Sequence, residues 1–193
     1  MKKSLLFCLV ALLSTVLLSQ ENILFLKSRN ISISSEIESI KGNNINYCFM
    51  IFSGIPTDKV KEKIQEIGID FLEYIPNRAY VVSIPQNINI TNLSNFGVIA
   101  LSVIKPHYKI DPKLQNDLPS WALNNNRLSV KVLLYKGADI SRVQQYFNTS
   151  NYQIDAINLI SNSMTITIDP DELSILSALN EVSYIEPIDP PSE

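Results

Sequence analysis

The chain has 193 residues, which suits one or two domains. Sixteen basic residues against nineteen acidic ones give a net charge of −3, and the basic residues are scattered along the sequence. This balance argues against a nucleic-acid partner. A single histidine and two cysteines offer no metal-ligand cluster, and no glycine-rich phosphate loop or other cofactor motif is present. The apolar content of 46% is ordinary for a globular protein, so a core can form.

Residues 1–19 have the pattern of a signal peptide. Lys2 and Lys3 make a basic start, residues 4–18 form an apolar run, and Ser19 is a small residue placed for cleavage. The run is short for a membrane span, although an uncleaved anchor is the alternative. We therefore expect an exported protein, periplasmic or extracellular, that has no membrane attachment after cleavage.

Residues 20–44 are polar and mixed apart from an apolar patch at 23–26, and they are interpreted as a leader that ends in a turn-forming cluster. Residues 45–110 then follow an ordered pattern of apolar runs and breaks. The predicted elements are a strand at 47–52, a helix after Thr57, a strand at 69–75, a turn at 76–78, a strand at 79–84, a short helix near 90–96 and a strand at 99–104.

Residues 127–188 repeat this order. The predicted elements are a strand at 128–135, a helix capped by Asp139, a strand at 152–160, a turn at 161–163, a strand at 164–168, a helix from 169 and a strand at 182–185. The Gly54–Pro106 and Gly137–Pro187 separations are nearly equal, at 52 and 50 positions. The sequence therefore predicts an α+β fold of two tandem ferredoxin-like β-α-β-β-α-β plaits, each a four-stranded antiparallel sheet with two helices on one face. Residues 111–126 form a predicted linker, and residues 189–193 a C-terminal tail.

The first copy differs from the second in the pattern of its strands. Residues 47–52 are all apolar, and residues 79–84 are apolar except for Ser83, whereas a sheet with one wet face shows alternation. Helices cover only one face, so the other face must meet the second copy, a partner or another domain. The residues predicted to form a partner-facing sheet surface are Tyr47, Phe49, Ile51, Tyr80 and Val82.

Candidate catalytic chemistry is sparse. His107 has no nucleophile near it in sequence, and Cys48 lies among apolar neighbours that predict a buried thiol. Asp169, Asp171 and Glu172 resemble an acid cluster, but the Asp-Pro-x-Glu order is typical of a helix start. We assign no catalytic, cofactor-binding or metal-binding residue.

Residues 68–80 are the most distinctive stretch, with the sequence GIDFLEYIPNRAY. This string resembles the G-x-x-F-x-x-Y-I-P-x-x-A-Y region at the start of secreted subtilisin-like serine proteases of Bacteroidetes-type bacteria. The later segment KPHYKI, residues 105–110, resembles the P-x-x-K-I stretch of the same pro-regions. The resemblance covers roughly residues 45–112, and the second copy matches only in the order of its elements.

The resemblance implies a propeptide that assists folding of, and occludes, a subtilisin-like serine protease catalytic domain. The catalytic Asp, His and Ser segments of that family have no counterpart here, so the expectation is a non-catalytic module, either a detached pro-region or a stand-alone relative that acts in trans. The proline-rich end predicts an extended tail, and the family implies that such a tail enters the protease cleft. The predicted protease-contacting residues are Ile188, Asp189, Pro190, Pro191, Ser192 and Glu193.

Three alternatives remain open at this stage. For the tail, the alternative is a severed linker without a role. For the whole chain, the alternatives are an exported adaptor that binds a partner through an apolar sheet face, and an enzyme with the plait fold that works without histidine. The last alternative is the weakest, because the sequence offers no convergent set of polar groups.

Overall fold

The structure is a computed structural model that describes residues 22–27, 29–35, 37, 46–86, 88–150 and 152–190. The predicted signal peptide, residues 1–19, and the last three residues of the predicted tail lie outside this part. Within the described ranges, no helix has both the length and the apolar character needed to cross a membrane. The described residues form a mixed α+β fold with three α-helices and antiparallel sheets.

The predicted leader is structured where it is described. It contains a two-stranded antiparallel hairpin of β1 (Asn22–Phe25) and β2 (Asn30–Ile33), in which Asn22 lies opposite Ile33. Burial alternates along both strands, so that Leu24, Ile31 and Ile33 point inward. The segment interpreted as a leader, residues 20–44, therefore contains regular secondary structure that packs on the first sheet.

The first half follows the predicted element order and forms a four-stranded sheet. Its elements are β3 (Asn46–Phe52), α1 (Asp58–Glu66), β4 (Asp70–Ile75), β5 (Ala79–Ile84) and β6 (Val98–Val103). The strand order is β4-β5-β3-β6, and every neighbouring pair is antiparallel. The turn predicted at 76–78 is confirmed, since these three residues connect the paired Ile75 and Ala79, and Asn77 and Arg78 both have positive φ.

The second predicted helix of this half is a single 3₁₀ turn, Leu93–Phe96. Asparagine and serine, which occupy the turn and its start, are weak helix formers, and Gly97 ends the turn with a φ of 81°. Leu93 nevertheless packs with Ile64 of α1 against Met50 and Phe52 of β3, so both crossover segments cover the same face of the sheet.

The predicted linker is also partly regular. It holds 3₁₀ turns at Pro112–Leu114 and Ser120–Ala122, and a short strand, β7 (Leu123–Asn124), which pairs with the start of the next strand. Leu114 and Ala122 are buried in the core of the second half, so this segment belongs to that core.

The remaining elements of the second half are β8 (Arg127–Leu134), α2 (Ile140–Thr149), β9 (Gln153–Asn158), β10 (Ser163–Ile168), α3 (Leu173–Ala178) and β11 (Val182–Pro187). The strands form a sheet in the order β11-β8-β10-β9, with β7 paired to β8. The predicted cap of α2 is confirmed, because the Asp139 carboxylate accepts hydrogen bonds from the amides of Ser141 and Arg142. β9 ends earlier than predicted, which leaves Leu159 and Ile160 in the turn before β10.

Strand β3 is buried on both faces, as its unbroken apolar sequence predicts. Cys48, Met50 and Phe52 face the helical layer. The opposite side chains, including Phe49 and Ile51, are covered by the hairpin and by Tyr135 at the end of β8. The chain therefore covers the second face with its own segments.

We expect the hairpin to contribute to global stability. Leu24 is fully buried against the first sheet, so Leu24→Ala should lower the free energy of unfolding by about 3 kcal/mol through lost burial and the cavity left behind. Its neighbour Ile23 is 48% exposed and gives the matched control, for which Ile23→Ala should cost about 1 kcal/mol or less. Urea unfolding measures both. Equal effects of the two substitutions would contradict packing of the hairpin on the sheet.

Candidate functional site

The structure divides the predicted partner-facing residues between two faces of the first sheet. Tyr47, Phe49 and Ile51 lie on the face covered by the hairpin, whereas Tyr80 and Val82 pack on the helical side. The register explains the division, because Met50 lies opposite Tyr80 and Cys48 opposite Val82 across an antiparallel pair. Grouping Tyr80 and Val82 with the other three was therefore wrong. The first three do not form an open surface, since each is at most 7% exposed.

Two tyrosines join the halves of the chain. The rings of Tyr47 on β3 and Tyr135, just after β8, stack with centroids 3.9 Å apart and an interplanar angle of 13°. The Asn162 side-chain amide donates to the Tyr135 carbonyl at 2.8 Å, which fixes the second ring from its own half. Burial raises the pKa of both phenols, and Glu181 raises that of Tyr47 further.

Lys109 is a buried cation at the same junction. Lys109 comes after the last strand of the first sheet and is only 5% exposed. Its Nζ donates a hydrogen bond to the carbonyl oxygen of Leu179 at 3.0 Å. The ammonium also lies 5.8 Å from the centre of the Tyr135 ring. Burial lowers the pKa of Lys109 to about 8, with an opposing contribution from Glu181. Charge at this position therefore opposes folding at neutral pH.

The segment after Lys109 is bound to the edge strand β11. The Asp111 amide donates to the Ile185 carbonyl at 2.9 Å, and the Tyr184 hydroxyl donates to the Asp111 carboxylate at 3.0 Å. Ile110 and Ile185 also form a parallel bridge. These contacts attach the second half directly to the end of the first.

The turn of the hairpin reaches the second half as well. Lys27 forms an ion pair with Glu186 of β11 at 2.8 Å, and Arg29 donates to the Ile110 carbonyl and, at 3.2 Å, to the Gln115 side chain. The hairpin thus packs on the first sheet and bonds to the linker and to the second sheet.

A half-open cleft of about 180 Å³ remains between the hairpin, the first sheet and the second half. Most of its lining is apolar or aromatic, and three polar side chains complete it. The lining residues are Leu26, Lys27, Phe49, Glu73, Ile75, Val81, Ile104, Tyr108, Leu133, Tyr135, Ser183 and Tyr184. A cleft at the junction of two structural units, with few polar groups, is a common place for ligands.

The residues considered for catalysis lie elsewhere. His107 is exposed and its ring lies 4.2 Å from that of Tyr108, while Cys48 is buried in the core beneath the helices of the first half. Asp169 accepts a hydrogen bond from the Asp171 amide at a 3₁₀ turn that leads into α3, in agreement with a helix start. In the part of the chain that the structure describes, no group of three or more His, Cys, Asp and Glu residues is placed to hold a metal ion.

The predicted protease-contacting tail begins on the second half. The Trp121 indole donates to the Ile188 carbonyl at 3.1 Å, and the Ile188 side chain packs against the second core. Asp189 and Pro190 are exposed, and residues 191–193 lie outside the described part.

A family model described as a domain of unknown function, DUF8729, matches residues 17–106. The matched region contains the hairpin together with the whole first sheet, which agrees with their shared core. No curated protein and no solved structure matches the chain.

We expect buried Lys109 to make the free energy of unfolding depend on pH in the alkaline range. Between pH 8 and 10.5 the unfolded state keeps the Lys109 proton that the folded state releases, so Lys109 makes stability rise with pH in that window. Above pH 10 the raised pKa values of Tyr47 and Tyr135 act in the opposite direction. Urea unfolding should show the wild type gaining about 2 kcal/mol between pH 8 and 10 relative to Lys109→Met.

The comparison with Lys109→Met removes the contributions of all other titrating groups. Lys136, which is exposed on the loop after Tyr135, gives the control substitution Lys136→Met, which should leave the pH profile unchanged. Parallel profiles for the wild type and Lys109→Met would contradict a buried Lys109 ammonium.

Proposed function

We propose that this chain is an exported, non-catalytic module of the propeptide or inhibitor type, which assists folding of and occludes a subtilisin-like serine protease catalytic domain, in cis within a longer relative or in trans. The proposal rests first on the resemblance of residues 68–80 and 105–110 to the pro-regions of secreted subtilisin-like proteases. In the structure, the first stretch forms β4, its turn and β5, and the second leads through Lys109 into the junction.

The strand orders support a finer description of the fold. Within each half, the first strand lies between the third and the fourth, and the second strand lies at the opposite edge. We infer that the chain consists of two tandem ferredoxin-like plaits, with a 3₁₀ turn in place of one crossover helix and β7 added to the second sheet.

The observation that carries the inhibitor proposal is the exit of the C-terminal segment. β11 is an edge strand, Ile188 is fixed by Trp121, and the chain then becomes exposed at Asp189 and Pro190. Prolines at 190 and 191 favour an extended backbone, which is the conformation a protease cleft binds. Because Ile188 is held in place, the segment that follows it loses less entropy when it binds.

We expect residues 189–193 to contribute to inhibition. The intact mature chain should inhibit a subtilisin-type catalytic domain, and a chain ending at Ile188 should be at least about tenfold weaker, because the contacts of the tail are lost while the Trp121 bond remains. Inhibition constants measured at constant salt test this. Equal potency would exclude a role for the tail, and absence of inhibition by both chains would contradict the inhibitor proposal.

The structure also offers a surface for the second candidate function, an exported adaptor. The predicted apolar face of the first sheet is covered, but Leu159 and Ile160 in the β9–β10 turn are 74% and 101% exposed, and Ile157 on the edge strand β9 is 38% exposed. These neighbouring aliphatic side chains provide exposed apolar surface on which a protein partner would pack.

If the chain is an adaptor, the double substitution Leu159→Ser/Ile160→Ser should abolish retention of the purified chain on a washed cell-envelope fraction from the source cells. Folding stability should change by about 0.5 kcal/mol or less, because both side chains point to solvent. Ile55→Ser removes a single aliphatic side chain that is 73% exposed on another loop, and it should leave retention unchanged. Identical retention of all three proteins would contradict an adaptor surface at this turn.

A further inference from the structure

Three of the four edges of the two large sheets, as far as the structure describes them, are covered or charged. Residues 110–111 lie along β11 and form a parallel bridge and a backbone hydrogen bond with it. Ile37 forms a parallel bridge with β6. The third edge, β4, carries the carboxylates of Asp70 and Glu73, whose negative charges oppose the approach of a like strand.

The fourth edge, β9, lacks this protection. Among the described residues it pairs with β10 alone, so one side of its backbone has no strand beside it. It contains no lysine and no proline, which edge strands commonly use against pairing. Its only charge, Asp155, is held over its own sheet, because the Gln153 side-chain amide and the Thr167 hydroxyl each donate to that carboxylate at 2.7 Å. An open edge of this kind is a template for a further strand.

The register of β9 indicates which strand fits this edge. A β-bulge at Asp155 places Ile154 and Ile157 on one face, where both lie opposite core residues of β10. Gln153 and Asn158 lie on the other face. In a two-fold antiparallel pairing that uses the whole strand, Ile154 lies opposite Ile157 of the second copy, and Gln153 lies opposite Asn158 of the second copy. The strand is therefore complementary to itself on both faces.

We propose that β9 pairs antiparallel with β9 of a second copy of this chain, so that the two second sheets become one continuous sheet across a two-fold axis. Such pairing is closed, because it uses the open edge of both copies and stops at the dimer. With only six residues per strand the interface is small, so we expect a dissociation constant of about 10–100 µM. The proposal does not rest on the inhibitor role, since the tail leaves from the opposite edge of the sheet.

Sedimentation equilibrium of the mature chain, at about 5 to 500 µM, tests the proposal. Ile157→Lys should weaken dimerisation at least about tenfold, because two-fold symmetry brings two ammonium groups into the interface, each opposite the apolar Ile154. The control Ile175→Lys changes a side chain that is 52% exposed on α3, and it should dimerise like the wild type. A wild-type chain that stays monomeric over this range, or an Ile157→Lys variant that dimerises equally well, would overturn the proposal.

Disulfide cross-linking tests the register without disturbing the apolar pair. A mixture of Gln153→Cys chains and Asn158→Cys chains should form a linked dimer, because directly opposed Cβ atoms lie about 5 Å apart. Either variant alone should cross-link at least about tenfold more slowly, since its two introduced thiols lie about 17 Å apart along the strands. Native Cys48 is fully buried and should not react. Equal rates for the mixture and for the single variants would refute the assignment.

Dimerisation through β9 is separable from the adaptor contact at the β9–β10 turn. The double substitution Leu159→Ser/Ile160→Ser lies beyond the paired strand, so it should leave the dissociation constant of the dimer unchanged. Loss of dimerisation in this variant would place the contact at the turn and overturn the assignment to β9. Retention on the cell envelope and self-association are therefore measured, and fail, independently.

Discussion

The two-sided burial of β3 is the constraint on which the rest of the structure depends. From Tyr47 to Phe52 every side chain of the strand is apolar or aromatic and at most 7% exposed, so each face of the strand needs an apolar cover. The helical layer supplies one cover, and the other is assembled from the hairpin and Tyr135. As a result, the hairpin, the first sheet and the second half share buried surface, although each half has a core of its own.

Polar contacts at the junction fix the geometry of this cover. Burying the Lys109 ammonium is costly, and its hydrogen bond to the Leu179 carbonyl and its position over the Tyr135 ring offset only part of the cost. At neutral pH the charged group lowers the net stability, but it also penalises arrangements in which it loses its partner. Together with the Asp111–Tyr184 bond, it defines how the two halves dock.

The surfaces left after docking are separate and chemically different. The tail leaves from the edge strand β11, the exposed aliphatic turn follows β9 at the opposite edge of the same sheet, and the cleft opens between the halves. A partner bound by the tail and one bound at the β9–β10 turn would therefore contact opposite edges of the second sheet, so substitutions can test the two proposals separately.

The sequence determined the features that depend on neighbouring residues. The order of strands and helices, the turn at Asn77–Arg78 and the cap at Asp139 follow from apolar periodicity and local hydrogen bonding, and they are present in the structure. Only the tertiary structure decided which side chains share a face and what covers them. The β3–β5 register placed Tyr80 away from Phe49, and a register depends on pairing between distant strands, where a shift of one residue exchanges the two faces. Lys109, Tyr135 and the hairpin joined the site through contacts across the chain, which no local pattern specifies.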